Sequence, residues 1–193
     1  MDPLSQGIVG SVAAQQKSSK EKILLITIIG FLSGMAPDLD VFIRSSHDPL
    51  LAIEFHRQFT HSLIFIPFGG FICGTFFYHI LTKRKGMSIK ETYLYCTLAY
   101  ASHGILDACT SYGTQLFWPF NDFRVAWNTI SIVDPIFTIT LFTLVFLSIF
   151  RRKTIFARIA LIWVITYMSI GLIQHNRAEK VGLLNADSRG HIP

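Results

Sequence analysis

The residues able to do chemistry concentrate in one stretch, Ala36 to His61, which lies between two apolar runs. It brings Asp38, Asp40, Asp48, Glu54, His56, Arg57 and His61 into a single connection. Charge beside lipid is costly, so a membrane protein that gathers ionisable groups at a span boundary generally uses them. In Pro37-Asp38-Leu39-Asp40 two carboxylates lie two residues apart, and in His56-Arg57-Gln58-Phe59-Thr60-His61 two imidazoles flank a guanidinium and a hydroxyl. Carboxylate oxygen with imidazole nitrogen is the ligand set of a zinc or manganese site.

The elements that must position these groups are apolar helices. Of 193 residues, 51% are hydrophobic and only 15% charged, well below the roughly one quarter charged residues of soluble domains. Mean hydropathy is +0.45. Apolar runs recur near the ~20 residues that cross a bilayer, and predict an all-α, polytopic bundle in one domain, 1–193. We expect five spans: Lys22–Ala36, His61–Thr82, Thr92–Tyr112, Ile130–Phe150 and Ile155–Ile173. Gly30 and Gly34 are spaced for close helix packing in the first, and Pro37 ends it. Residues 113–129 form an aromatic-rich connection that suits an interfacial belt, and 174–193 a polar tail. Cys73, Cys96 and Cys109 lie in apolar segments without a Cys-x-x-Cys pair and read as free thiols. The N-terminus lacks the pattern of a cleavable signal.

Net charge is +5, but the Lys and Arg flank spans, so they orient the chain and do not suggest a nucleic-acid partner. Lys17/Lys20/Lys22, Lys83/Arg84/Lys85/Lys90 and Arg151/Arg152/Lys153/Arg158 alternate with span crossings and all face the cytoplasm by the positive-inside rule. Connections 38–61 and 113–129 and the C-terminal tail then face outward. Residues 2–16 form a short helix of about 22 Å. It either lies on the inner surface or descends from the outer side toward the lysines, and its small residues favour descent.

This topology, set by Lys and Arg alone, converges the remaining ionisable groups. His103 and Asp107 are four apart on one helix face, near the outer end of the third span. Asp134 begins the fourth span, His61 begins the second, and Asp38 and Asp40 follow the first. The expected metal ligands are Asp38, Asp40, His56, His61, His103, Asp107 and Asp134. Asp134 followed by Pro135 also reads as a helix N-cap. His79 lies eighteen residues beyond His61, about 27 Å along a helix, and is excluded. His47, His175 and His191 read as surface residues.

Asp2-Pro3-Leu4-Ser5-Gln6-Gly7, Pro37-Asp38-Leu39-Asp40, His56-Arg57-x-x-Thr60-His61-Ser62, Ser102-His103-x-x-Leu106-Asp107-x-x-Thr110-x-Tyr112-Gly113-Thr114, Trp118-Pro119-Phe120 and Val133-Asp134-Pro135 resemble the YdjM-type (YbcI-like) inner-membrane metal-dependent hydrolases. The resemblance covers residues 2 to about 140. That family is distantly similar to the zinc-dependent phospholipase C and single-strand nuclease superfamily. The resemblance implies a multi-pass protein of a bacterial inner membrane and hydrolysis with one or more metals held by His and Asp. Family members often carry His where this chain has Gln6, and many continue into a C-terminal domain beyond the last span.

A divalent ion in such a site lowers the pKa of bound water toward ~7 and supplies a nucleophile at neutral pH. Zinc is the expected ion, with manganese compatible. Arg57, Asp40 and Thr60 are the expected catalytic residues: Arg57 fits two phosphate oxygens, and Thr60 and Thr110 donate supporting hydrogen bonds. A site at the outer lipid–water boundary suits a phosphoester of a lipid or other amphiphile. The alternatives are a non-enzymatic metal-binding or transport protein and an intramembrane metalloprotease. Clustering at one face argues against a conduit. HExxH is absent, and Glu54 is the nearest candidate general base. The pattern specifies no oligomeric state.

Overall fold

The computed structural model describes residues 1–43 and 55–190. His47, Asp48, Glu54 and His191 lie outside the described residues. The described chain is all-helical, and its only strand-like pairing is an isolated antiparallel bridge between Thr114 and Val125.

Helix α1 (Pro3–Gln15) starts where Asp2 accepts the Ser5 N–H at 2.9 Å, with Pro3 in the first turn. Proline there costs nothing, because that position has no intrahelical partner for its missing N–H. Small residues on several sides let α1 sink into the bundle, where Ser5 to Val12 are all buried. Helix α2 (Ile23–Met35) crosses it at Gly30 and Gly34, the two glycines expected to pack closely. A Cβ on Gly30 would sit 2.8 Å from the Ala14 Cβ, and one on Gly34 2.8 Å from the Gln6 carbonyl oxygen. Pro37 ends the α-helix as expected, but the chain does not turn away. It tightens into a 3₁₀-helix, Ala36–Phe42, that carries Asp38 and Asp40. Proline is tolerated in the first turn of that new segment.

Short 3₁₀ turns at Phe59–His61 and Leu63–Phe65 lead into α3 (Ile66–Phe77), which widens into a π turn at Tyr78–Thr82 and closes through Lys83–Lys85 at Gly86. Gly86 has a φ of 67°, a left-handed conformation that glycine adopts without strain. Helix α4 (Ile89–Ala108) opens on a capping box between Ser88 and Glu91, which satisfies two otherwise orphaned N–H groups. Helix α5 (Pro135–Arg151) is capped by Asp134, and α6 (Ile155–Ser188) closes the order.

Helix α6 overrides the expected polar tail, continuing fifteen residues past Ile173. Ala178, Glu179, Lys180, Leu183 and Leu184 are good helix formers, and the chain leaves the helix only at Gly190, φ 71°. Among the described residues, three helical stretches are long and apolar enough to cross a bilayer: Ile23–Phe42, Leu63–Lys85 and Ile155–Ser188. Pro135–Arg151 is apolar but shorter. The expected third span corresponds to α4, a less apolar helix packed against α1, α2 and α3.

Two apolar clusters hold the bundle. Ile8, Val12, Leu106, Phe137 and Leu141 join α1, α4 and α5, and Ile26, Ile29, Cys73, Cys96 and Tyr100 join α2, α3 and α4. The three cysteines are free and buried, as expected. Outward faces are apolar too, with Phe68, Phe71, Ile72 and Phe76 of α3 and Ile139, Phe142 and Phe146 of α5 exposed. Such a surface belongs against hydrocarbon. The expected interfacial aromatics Phe117, Phe120, Phe123 and Trp127 are likewise exposed. At one end of the bundle Lys22 Nζ reaches the Gly86 carbonyl at 3.1 Å and Tyr95 donates to the Lys17 carbonyl at 3.1 Å. The Asp and His residues meet at the other end.

Candidate metal centre

Four segments build the site. The 36–42 turn carries Asp38 and Asp40, the 55–61 segment carries His56, Arg57, Thr60 and His61, α4 carries His103 and Asp107, and α1 contributes Gln6. Gly104 explains how His61 comes to lie against α4: a Cβ there would run into the His61 carbonyl oxygen. The small residue lets the 59–61 turn rest on the helix beside His103 and Asp107.

Asp38, His61, His103 and Asp107 form a quartet whose histidines and Asp107 are sealed from solvent. The Nε2 atoms of His61 and His103 are 2.9 Å apart. Asp38 Oδ1 lies 3.4 Å from the first and 3.3 Å from the second, and Asp107 Oδ2 lies 3.3 Å and 3.4 Å from them. Hydrogen bonds behind the rings decide what these atoms offer. His103 Nδ1 faces the Gly34 carbonyl at 2.5 Å, an oxygen that can only accept, so the ring donates there. Thr60 gives its one hydroxyl proton to Asp40 Oδ2 at 2.7 Å, so it accepts from His61 Nδ1 at 2.9 Å. In their neutral forms both rings therefore turn lone pairs inward.

Two nitrogen lone pairs and two carboxylate oxygens thus converge. Asp107 Oδ2 has no hydrogen-bond partner among the described residues, although Arg57 Nε approaches to 3.3 Å. Without a cation, one ring must take a second proton to make the 2.9 Å contact attractive. A divalent ion satisfies all four groups at once. Ligands held ~2.0 Å from a tetrahedral zinc stand about 3.3 Å apart, and five separations within the quartet, 2.9–3.4 Å, bracket that value. The donor set fits the ion.

A second group, Asp38, Asp40 and His56, shares Asp38 with the first. It is half-open, since the side chains of Asp38 and His56 are 22% and 24% exposed. His56 Nδ1 meets Asp40 Oδ1 at 2.7 Å. The other Asp40 oxygen receives the Thr60 hydroxyl and, at 3.2 Å, the Arg57 N–H. Both oxygens of Asp40 are thus engaged in orienting His56, His61 and the turn. Thr60 stands behind His61 in the supporting role, apart from the converging atoms. Arg57 is buried, with Nη1 3.3 Å from the Thr110 hydroxyl, and Thr110 in turn donates to the Asp107 carbonyl at 2.8 Å. Arg57 also holds a φ of 62°. A non-glycine residue pays strain there, and such strain clusters at functional sites.

One expected ligand is corrected. Asp134 joins neither group: one oxygen caps α5 through the Phe137 N–H at 3.1 Å, and the other accepts from the Tyr167 hydroxyl at 2.7 Å. The cap role, also legible in Asp134-Pro135, and the Tyr167 hydroxyl together account for both oxygens. His79 and His175 are in neither group, as expected.

Four contributors lie outside the expected ligand set. Gln6 donates to Asp107 Oδ1 at 2.8 Å, and its buried Oε1 has no hydrogen-bond partner among the described residues. Met1 meets the same Asp107 oxygen through its amino group. Gln6 was flagged by its departure from the family's His and by the descent of residues 2–16, which puts it near the outer-side site, whereas Met1 was not. The Gly34 carbonyl left no signal, because backbone acceptors are invisible in side-chain patterns. Arg124 was absorbed into the aromatic belt, yet it lies over Tyr112, 5.2 Å from the ring centre, and donates to the His56 carbonyl at 3.2 Å.

No solved structure matches the chain. Inner membrane protein YbcI of Escherichia coli strain K12 is 24% identical over 154 residues, covering 77% of this chain and 82% of that protein. The sequence model of the family described as YdjM inner membrane protein matches residues 1–178, which takes in every residue of both groups. The chain therefore belongs to the YdjM inner membrane protein family.

Proposed function

We propose that this chain is a metal-dependent hydrolase acting on a phosphoester of a lipid or other amphiphile at the outer face of the inner membrane. The observation that carries this reading is the convergence of four acceptor atoms, from Asp38, His61, His103 and Asp107, fixed by donors behind them. A divalent ion held where the quartet meets the half-open group would supply Lewis acidity and lower the pKa of a bound water toward neutral. The chain's own residues do the rest. Gly34 and Thr60 hold the imidazole tautomers. Asp40 orients His56, whose partly exposed ring is placed to carry a proton between the site and solvent. Arg57 binds phosphate oxygens while anchoring Asp107.

An outward-facing, multi-pass arrangement follows from the three basic clusters, each at the helix ends away from the site. A cavity of about 270 Å³ beside Asp40 and Thr60 supports an amphiphilic substrate. Leu39, Ile43, Phe65 and Ile72 give it apolar walls for a hydrocarbon tail.

A metal-binding protein without catalysis is the second reading, favoured by the quartet itself, since structural zinc sites are closed by four protein ligands. The half-open group that shares Asp38 separates the two. Zinc-loaded protein in detergent should release phosphate from phosphatidic acid or from a soluble aryl phosphate, and a His56→Ala variant should lose that turnover while keeping quartet-bound zinc. A protein that holds zinc but turns over no phosphoester supports the second reading.

A further inference from the structure

Two guanidinium groups share one aromatic ring beside the half-open group. The Arg57 guanidinium carbon is 4.8 Å from the Tyr112 ring centre and that of Arg124 is 5.2 Å from it, so the two lie within the sum of those distances of each other. The same ring is 6.3 Å from the His56 ring. Asp107 meets Arg57 at 3.3 Å, but Arg124 has no carboxylate within ion-pair distance among the described residues. Its Nη2 is used on the His56 carbonyl, while its Nη1 is buried with no hydrogen-bond partner among the described residues. A buried N–H left unmade is costly and rare, so this donor is available to an anionic ligand.

We propose that Arg57 and Arg124 form one anion cradle on Tyr112 that takes the phosphate of a doubly charged phosphomonoester head group. The inference rests on the phosphoester reading and sharpens it. Two guanidiniums beside a divalent ion match two negative charges on the head better than the single charge of a phosphodiester, and planar guanidiniums present paired N–H groups to phosphate oxygens. A neutral ester or amide could accept from the Arg124 donor but would leave its charge unbalanced.

Arg124→Gln removes the charge but keeps an amide donor for the His56 carbonyl. Full-length, zinc-loaded protein in detergent is titrated calorimetrically with inorganic phosphate and separately with dimethyl phosphate. The wild type should bind phosphate more tightly than dimethyl phosphate. The Gln variant should bind phosphate about ten- to a hundred-fold more weakly, the value of one hydrogen bond to a charged group, with zinc content and melting temperature unchanged. Arg124→Lys, which keeps the charge without the paired donors, should fall between the two and carries the test if the Gln variant does not fold. Equal phosphate affinity in wild type and variants overturns the cradle, as does a loss that follows zinc content or melting temperature. Equal affinity for phosphate and dimethyl phosphate overturns the phosphomonoester assignment. Phosphate binding without turnover of any phosphoester defeats the hydrolase reading and leaves the cradle standing. Turnover with unaltered phosphate affinity in Arg124→Gln does the reverse.

Discussion

Thr60→Val tests the tautomer logic without touching a ligand. Valine matches threonine in shape but lacks the hydroxyl that joins Asp40 Oδ2 at 2.7 Å to His61 Nδ1 at 2.9 Å. The His61 Nδ1–H would then have only Asp40 Oδ2, 3.3 Å away. Asp40 would keep His56 and the Arg57 N–H but lose one donor of its set. A hydrogen bond to a charged group contributes roughly 1.5–3 kcal/mol, so the metal-free protein should lose about that much stability. Zinc affinity should fall by more than fold stability alone explains, because the imidazole is no longer held with its Nε2 lone pair inward. Loss of such a supporting partner costs about 10- to 100-fold in metal affinity, or ~1.4–2.8 kcal/mol. The assay is zinc competition against a chromophoric chelator in detergent, with Thr60→Ser as the hydroxyl-retaining control. Wild-type affinity in Thr60→Val would refute the assignment of Thr60 as the group that fixes His61.

Asp134→Ala should lower the melting temperature through loss of a helix cap, about 0.5–2 kcal/mol, and leave zinc content unchanged; loss of zinc would restore Asp134 to the ligand set. Arg57→Lys should keep zinc and lower phosphoester turnover more than tenfold, because lysine cannot make paired contacts. Turnover falling only in proportion to zinc would reduce Arg57 to the anchor of Asp107. A single cysteine at Asn121 should react with an impermeant maleimide in intact cells, while one at Gly86 should react only after permeabilisation; the reverse pattern would put the site on the cytoplasmic side.

The sequence made the helices and the ligand cluster legible for a common reason. Hydrocarbon demands apolar helices, so each ionisable residue inside one stands out. Lys and Arg placement then aligned Asp38, His61, His103 and Asp107 at one depth, and the structure brings these four together. Spacing could not separate Asp134 from them, since one level of the bundle includes positions on different sides of it. Its partner Tyr167 comes from α6, thirty-three residues away, and no local pattern announces that contact. Gly34 and Gly104 act through a carbonyl and a missing Cβ, which residue chemistry does not display. The extension of α6 beyond Ile173 was masked by polarity, which argues against a span but not against a helix.

The proposed chemistry requires that Asp38, His61, His103 and Asp107 hold a divalent ion. Metal analysis and zinc K-edge absorption on the purified full-length protein test it most directly, alongside His103→Ala, Asp107→Ala and His79→Ala. Stoichiometric zinc is expected in the wild type and in His79→Ala, coordinated by nitrogen and oxygen at about 2.0–2.1 Å, with two imidazoles on the quartet ion. The two ligand variants should hold markedly less zinc. A wild-type protein that binds no divalent ion, or equal zinc in all four proteins, would contradict it.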